Sequence, residues 1–130
     1  MIDFQTALQM RDLGFPQPEP KFGQMWWLFT LSGQRLVLIT QVNGTSLNAS
    51  SEHGAFEYDE TDFSEMPHVY CPTITDIMRE LGHEYDFGFS ERSDFSATFW
   101  VAGPHKMYLD AEAEKAGATA WIEKQQGIRV

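Results

Sequence analysis

The chain has 130 residues, of which 42% are hydrophobic and 14% aromatic, and it carries a formal net charge of −10. This composition excludes a disordered protein, and the length fits one domain that can form a core without metal or disulfides. The acidic balance and the scattered basic residues argue against nucleic acid and anionic membranes as partners, because their phosphate groups would be repelled. No apolar run is long enough to span a bilayer and the N-terminus shows no signal-peptide pattern, so we expect a cytoplasmic protein.

The first predicted element is a helix from about residue 4 to residue 13. Asp3 is a suitable N-cap for it, and Gly14 suits the left-handed position that follows a helix. Phe15 then falls where its ring can pack against Met10. The local signals therefore predict both ends of this helix.

Strands are predicted after a proline-rich connector. Residues 24–31 are apolar on both alternating faces, which favours a central strand with Trp26 and Trp27 on opposite faces. A short hairpin connection leads into a second strand over residues 35–42. A further short strand is predicted over residues 55–59.

The most distinctive feature is a stretch from Leu36 to Met78 that contains no Lys or Arg. Its acidic residues are Glu52, Glu57, Asp59, Glu60, Asp62, Glu65 and Asp76. Unneutralised charge of one sign attracts basic partners, and aromatic residues are interleaved with it. We therefore predict a partner-binding surface made of Glu57, Asp59, Glu60, Asp62 and Glu65, with Phe63 as an aromatic anchor. The alternative is a solvated face, in which a short strand buries Phe56 and Tyr58 and turns its acids to water.

Two more helices are predicted in the second half of the chain. One runs from about residue 74 to 81, where Thr73 and Asp76 form a capping-box pattern and Gly82 ends the helix. The other runs from about residue 111 to 126 and has Asp110 as its N-cap. Between them, alternating apolar residues predict three strands, over residues 85–89, 95–101 and 105–109.

The strongest candidate for a metal or ligand site is the pair His68 and Cys71. An imidazole and a thiol three residues apart are zinc ligand types, but zinc needs two further ligands, for which His83 and His105 are candidates. The alternative function is therefore a small-molecule or metal-binding protein with an aromatic pocket near His68 and Cys71. No catalytic motif is present, and a small enzyme would need a deep pocket of clustered titratable groups.

Three segments resemble parts of small uncharacterised phage and prophage proteins. They are residues 7–17, 72–82 and 111–122, each of which holds one predicted helix or its end. The resemblance implies a small protein of mobile genetic origin. It implies no active site, so no functional residue is carried over from it.

These observations predict a single α+β domain over residues 1–130, with three helices packed on a largely antiparallel sheet of about four to six strands. The predicted function is that of a non-enzymatic acidic protein-interaction module, which inhibits or modulates a basic protein. We expect no cofactor, no nucleic-acid partner and no membrane partner.

Overall fold

The computed structural model describes residues 1–52, 54–91 and 97–127. Its helices are α1 (Phe4–Asp12), α2 (Glu60–Glu65), α3 (Ile74–Leu81) and α4 (Ala113–Gln125). Its strands are β1 (Met25–Thr30), β2 (Gly33–Val42), β3 (Ser46–Ser51), β4 (Gly54–Asp59), β5 (His68–Cys71), β6 (Asp86–Glu91), β7 (Ala97–Ala102) and β8 (Met107–Asp110).

The fold is α+β with antiparallel sheets, as predicted, but its finer organisation differs. The described residues form four helices and two sheets, one of five strands and one of three, where three helices and one sheet were predicted. The chain divides into two compact units. We call Pro16–Cys71 the middle unit, and Met1–Phe15 together with Pro72–Val130 the terminal unit.

The middle unit contains the five-stranded sheet, with the strand order β4-β3-β2-β1-β5. Strand β1 lies inside this sheet, paired with β2 and β5, which confirms the prediction of a central strand. Trp26 is buried opposite Val37 and Tyr70, whereas its neighbour Trp27 points to the other face and is half-buried. The two faces of one strand therefore hold the two tryptophans, as the sequence predicted.

Helix α2 packs on the face of this sheet that Trp26 occupies. Phe63 from the helix makes edge-on contacts with Trp26 and Tyr58, with ring centroids 5.9 and 6.2 Å apart. This six-residue helix was not predicted, since an isolated helix so short has no stability of its own. Its aromatic contacts with the sheet supply the stabilisation that the local sequence lacks.

Strands β4 and β5 form the two edges of the sheet. At β5, the backbone N–H of Tyr70 donates to the side-chain oxygen of Gln17 at 2.9 Å, so the connector satisfies part of that edge. At β4, strand pairing in the described residues is with β3 alone. Among the described residues no strand pairs with the outer side of β4, so this edge offers backbone groups for further pairing.

Helix α1 of the terminal unit ends as its sequence predicts. Gly14 adopts a φ of 100°, and the N–H of Phe15 donates to the carbonyl of Met10 at 2.9 Å. The Phe15 ring then packs edge-on against Trp121 of α4, with a centroid distance of 5.1 Å. The glycine stop therefore turns an aromatic side chain back onto the unit's own core.

Helix α4 contacts α1, α3, β7 and β8, and its buried surface consists mainly of small residues. Gly117 permits a close approach to α3, because a Cβ atom there would lie 3.0 Å from the Cγ2 atom of Ile77.

Within the described residues, no helix combines the length and the apolar character that a membrane crossing requires.

The predicted start of α4 is wrong by two residues. The helix begins at Ala113, and Asp110 accepts a hydrogen bond from the N–H of Glu112 at 3.0 Å instead of capping the helix. Glu112 occupies the cap position and forms ion pairs with the N-terminal amine and with Lys115. Hydrogen bonds from Lys115 and from the N-terminal amine lower the pKa of Glu112 to about 2.

The three-stranded sheet has the order β6-β7-β8. The indole of Trp100 lies across Gly88 on the neighbouring strand, where a Cβ atom would be only 2.3 Å from the ring. On β8, the hydroxyl of Tyr108 donates to the carboxylate of Glu123 in α4. This hydrogen bond lowers the pKa of Glu123, and burial with the same contact raises the pKa of Tyr108. The predicted start of β7 at Phe95 lies outside the described residues.

Candidate functional site: an acidic edge and an aromatic cavity

Four of the predicted partner-binding acids lie on the edge strand β4 and on α2, the helix that follows it. Glu57 belongs to β4, and Asp59 ends that strand, where its carboxylate accepts from the N–H of Thr61 at 2.8 Å and caps α2. Asp62 and Glu65 belong to α2, and all four side chains are exposed. We call Glu57, Asp59, Asp62 and Glu65 the acidic edge. The side chain of Glu60, the fifth predicted acid, lies outside the described part of the structure.

The acidic edge has two parts, one on β4 and one on α2. Glu57 shares one face of the strand with Asp59, because side chains two residues apart point the same way. Helix α2, which carries Asp62 and Glu65, packs on the opposite face of the sheet. A chain that paired with β4 would therefore meet Glu57 on one face, whereas Asp62 and Glu65 lie on the helix that connects β4 with β5 on the opposite face of the sheet.

Nearby Lys and Arg side chains do not pair with the carboxylates of the acidic edge. Within residues 1–52, 54–91 and 97–127, none of the four carboxylates of the acidic edge forms an ion pair. The middle unit has only Lys21 and Arg35 as basic residues, and the Arg35 guanidinium stacks on the Phe56 ring, 4.6 Å from its centroid. Phe56 points away from the face that Glu57 occupies, so this guanidinium lies on the face where α2 packs and not beside Glu57.

Phe63 does not offer the surface anchor that was predicted. Its side chain is 2% exposed and contacts Trp26, Tyr58 and His68. The physical reason is that residues 60–65 form a helix, which turns Phe63 inward while Asp62 and Glu65 face water. In this structure Phe63 belongs to the core between α2 and the sheet.

The structure separates His68 from Cys71. Their odd spacing along β5 puts the two side chains on opposite faces of the sheet, and Cys71 is buried on the face away from Trp26. Among the described residues, no group of three or more His, Cys, Asp or Glu side chains is placed to hold a metal ion. The prediction of a joint His68–Cys71 site is therefore wrong.

His68 lies instead in an aromatic cluster beside a cavity. Its ring centroid is 4.9 Å from that of Phe63 and 5.3 Å from that of Trp26. The cavity has a volume of about 320 Å³ and is bounded by the connector before β1, the β2–β3 hairpin, α2 and His68. His68 therefore lines a cavity, and Cys71 does not.

Sequence reasoning did not identify the other residues of this cavity. Glu19, Ser46, Leu47 and Ser64 come from three separate segments, and no spacing pattern connects them. His68 carried a signal, as a residue type that is common in binding sites, and Phe63 was predicted as a site residue, but as a surface anchor.

Comparison with known proteins found no matching family model, curated protein or solved structure. The resemblance to phage and prophage proteins therefore stays a prediction.

Proposed function

We propose that this protein is a non-enzymatic interaction module that binds a basic protein through the acidic edge, and that it thereby inhibits or modulates that protein. The observation that carries the proposal is the coincidence of an open edge strand with four exposed, locally unpaired carboxylates. Such charge accelerates encounter with a basic partner and selects against acidic ones.

The open edge indicates how a partner would bind. An extended segment that added to β4 would gain backbone hydrogen bonds, and its side chains would alternate between the two faces of the sheet. Lys or Arg residues on the face of that segment that Glu57 occupies would meet its carboxylate. The expected partner segment is therefore extended and basic.

Acidic residues at an edge strand also have a purely structural use. Charged side chains discourage edge-to-edge pairing between copies of a protein, and Glu57 on β4 would serve that purpose without any partner. This reading explains Glu57, but it does not require Asp62 and Glu65 on the adjoining helix. Affinity capture distinguishes a partner-binding role of these acids from a purely protective one.

The proposal is tested by affinity capture from a lysate of the source organism, with identification of the captured proteins by mass spectrometry. Wild-type bait is compared with the triple variant E57Q/D62N/E65Q, which leaves Asp59 in place because it caps α2. The control is E80Q/E84Q/E91Q, which removes the same charge from three exposed acids of the terminal unit.

We expect a basic protein that is captured by wild type and by the control, is lost with the acidic-edge variant, and is released by added salt. Equal loss with both variants would mean that only total charge matters. Undiminished capture by the acidic-edge variant would overturn the proposal.

A further inference from the structure

The cavity beside α2 has the size and the walls of a small-ligand site. Its volume of about 320 Å³ lies within the usual range for such sites, about 300–1,000 Å³. Val42, Leu47 and Phe63 provide apolar walls, which would accept the apolar body of a ligand. Ser46 and Ser64 add hydroxyl groups to the lining.

The hydrogen bond at His68 determines what its imidazole can offer a ligand. Nδ1 lies 2.6 Å from the carbonyl oxygen of Met66, and since a carbonyl only accepts, Nδ1 carries the hydrogen. In the neutral imidazole, Nε2 is then left as an acceptor. The rings of Trp26 and Phe63 pack against His68, so rotation of the imidazole would disrupt both contacts.

The charges around the cavity favour a cation. Glu19 contributes a carboxylate to the lining, and no Lys or Arg of the described residues lines the cavity. An anionic ligand would therefore find no opposite charge there, whereas an ammonium group could pair with Glu19 and donate to Nε2 of His68.

We propose that this cavity binds a small organic amine, with its apolar body against Leu47 and Phe63 and its ammonium group between His68 and Glu19. This cavity is separate from the acidic edge, where the basic protein is proposed to bind. It assigns a binding role to His68 and Glu19, which do not belong to the acidic edge.

The test uses three probes of similar shape: phenethylamine, phenethyl alcohol and phenylacetate. Each is titrated into the isotopically labelled protein at a pH of about 8, where an ordinary imidazole is neutral, and amide shifts are followed by NMR. We expect the amine to bind most tightly and phenylacetate least tightly. The shifts should be concentrated at Ser46, Leu47, Ser64 and His68.

Two variants examine the individual roles. Glu19→Gln should weaken amine binding by about threefold and leave the alcohol unchanged, because only the ionic contribution is removed. His68→Phe retains an aromatic ring but removes Nε2, and should weaken both the amine and the alcohol by up to about tenfold. Glu80→Gln, which changes an exposed acid of the terminal unit outside the cavity, is the control and should change neither affinity.

Three results would overturn the proposal. Phenylacetate that binds as tightly as the amine would show that the charges do not select a cation. Shifts confined to residues outside the cavity would place the probe elsewhere, and no shift with any probe at about 10 mM would mean that the cavity is not a ligand site.

Discussion

Replacement of Phe63 by Ala tests whether α2 is held by its aromatic contacts. Phe63 is 2% exposed, and its ring lies 4.9–6.2 Å from those of His68, Trp26 and Tyr58. Removal of a buried Phe ring costs about 3–5 kcal/mol, since the transfer free energy is lost and a cavity remains. That is a large part of a typical domain stability of about 5–15 kcal/mol.

The assay is urea unfolding followed by tryptophan fluorescence. With a slope of about 2 kcal/mol per molar urea, the Phe63→Ala midpoint should fall by about 1.5–2.5 M. If this variant does not fold, Phe63→Leu keeps most of the volume and should lose about 1–2 kcal/mol.

Phe22 provides the matched control, because it is the same residue type in the same unit but 77% exposed. Phe22→Ala should change the free energy of unfolding by less than about 0.5 kcal/mol. Equal and small effects of the two substitutions would refute the assignment of Phe63 to the core, and would restore it as a candidate surface anchor.

Three further substitutions test other parts of the fold by the same unfolding assay. Gly88→Ala should destabilise the protein by about 1–3 kcal/mol, because the added Cβ would collide with Trp100, and a gain in stability would contradict this packing. Thr73→Ala removes an N-cap and should cost about 1 kcal/mol, whereas no loss would mean that the capping box contributes nothing. Tyr108→Phe should cost about 1.5–3 kcal/mol at neutral pH, because it removes the hydrogen bond to the Glu123 carboxylate. The folded-state pKa of Glu123 is lowered from its ordinary 4.5, so this stabilisation is present above pH 4.5 and is lost as the pH falls through the folded-state pKa. If the difference in free energy of unfolding between wild type and Tyr108→Phe stayed constant into strong acid, the hydrogen bond between Tyr108 and the Glu123 carboxylate would not be its source.

Local signals in the sequence predicted the elements that local interactions define. Helix α3 has the predicted bounds because Thr73 and Asp76 form the predicted capping box and Gly82 follows the last turn with a φ of 94°. The pattern of β1 likewise predicted a central strand, because both of its faces are apolar.

Elements that depend on distant partners were missed. Strand β3 has only Leu47 and Ala49 as buried apolar residues among polar ones, so its sequence resembles a loop. Helix α2 is too short to be stable alone and depends on the sheet beneath Phe63. The division into two sheets also depends on strand pairing, which sequence periodicity does not reveal.

The acidic part of the candidate site could be predicted from the composition of the sequence. The acids of the acidic edge are visible as a stretch without Lys or Arg, and their exposure follows from their charge. The inward position of Phe63 requires knowledge of the helix, and the separation of His68 from Cys71 requires knowledge of the strand. The cavity requires the whole middle unit, since it is assembled from segments between Glu19 and His68.

The proposed function requires a basic protein to bind at the acidic edge. Hydrogen exchange of the wild-type protein, measured with and without the captured partner, locates the bound surface. We expect the partner to slow exchange of the backbone amides in β4 and α2, since the added segment pairs with β4 and orders the adjoining helix. Protection confined to the terminal unit, with exchange in β4 and α2 unchanged, would refute binding at the acidic edge.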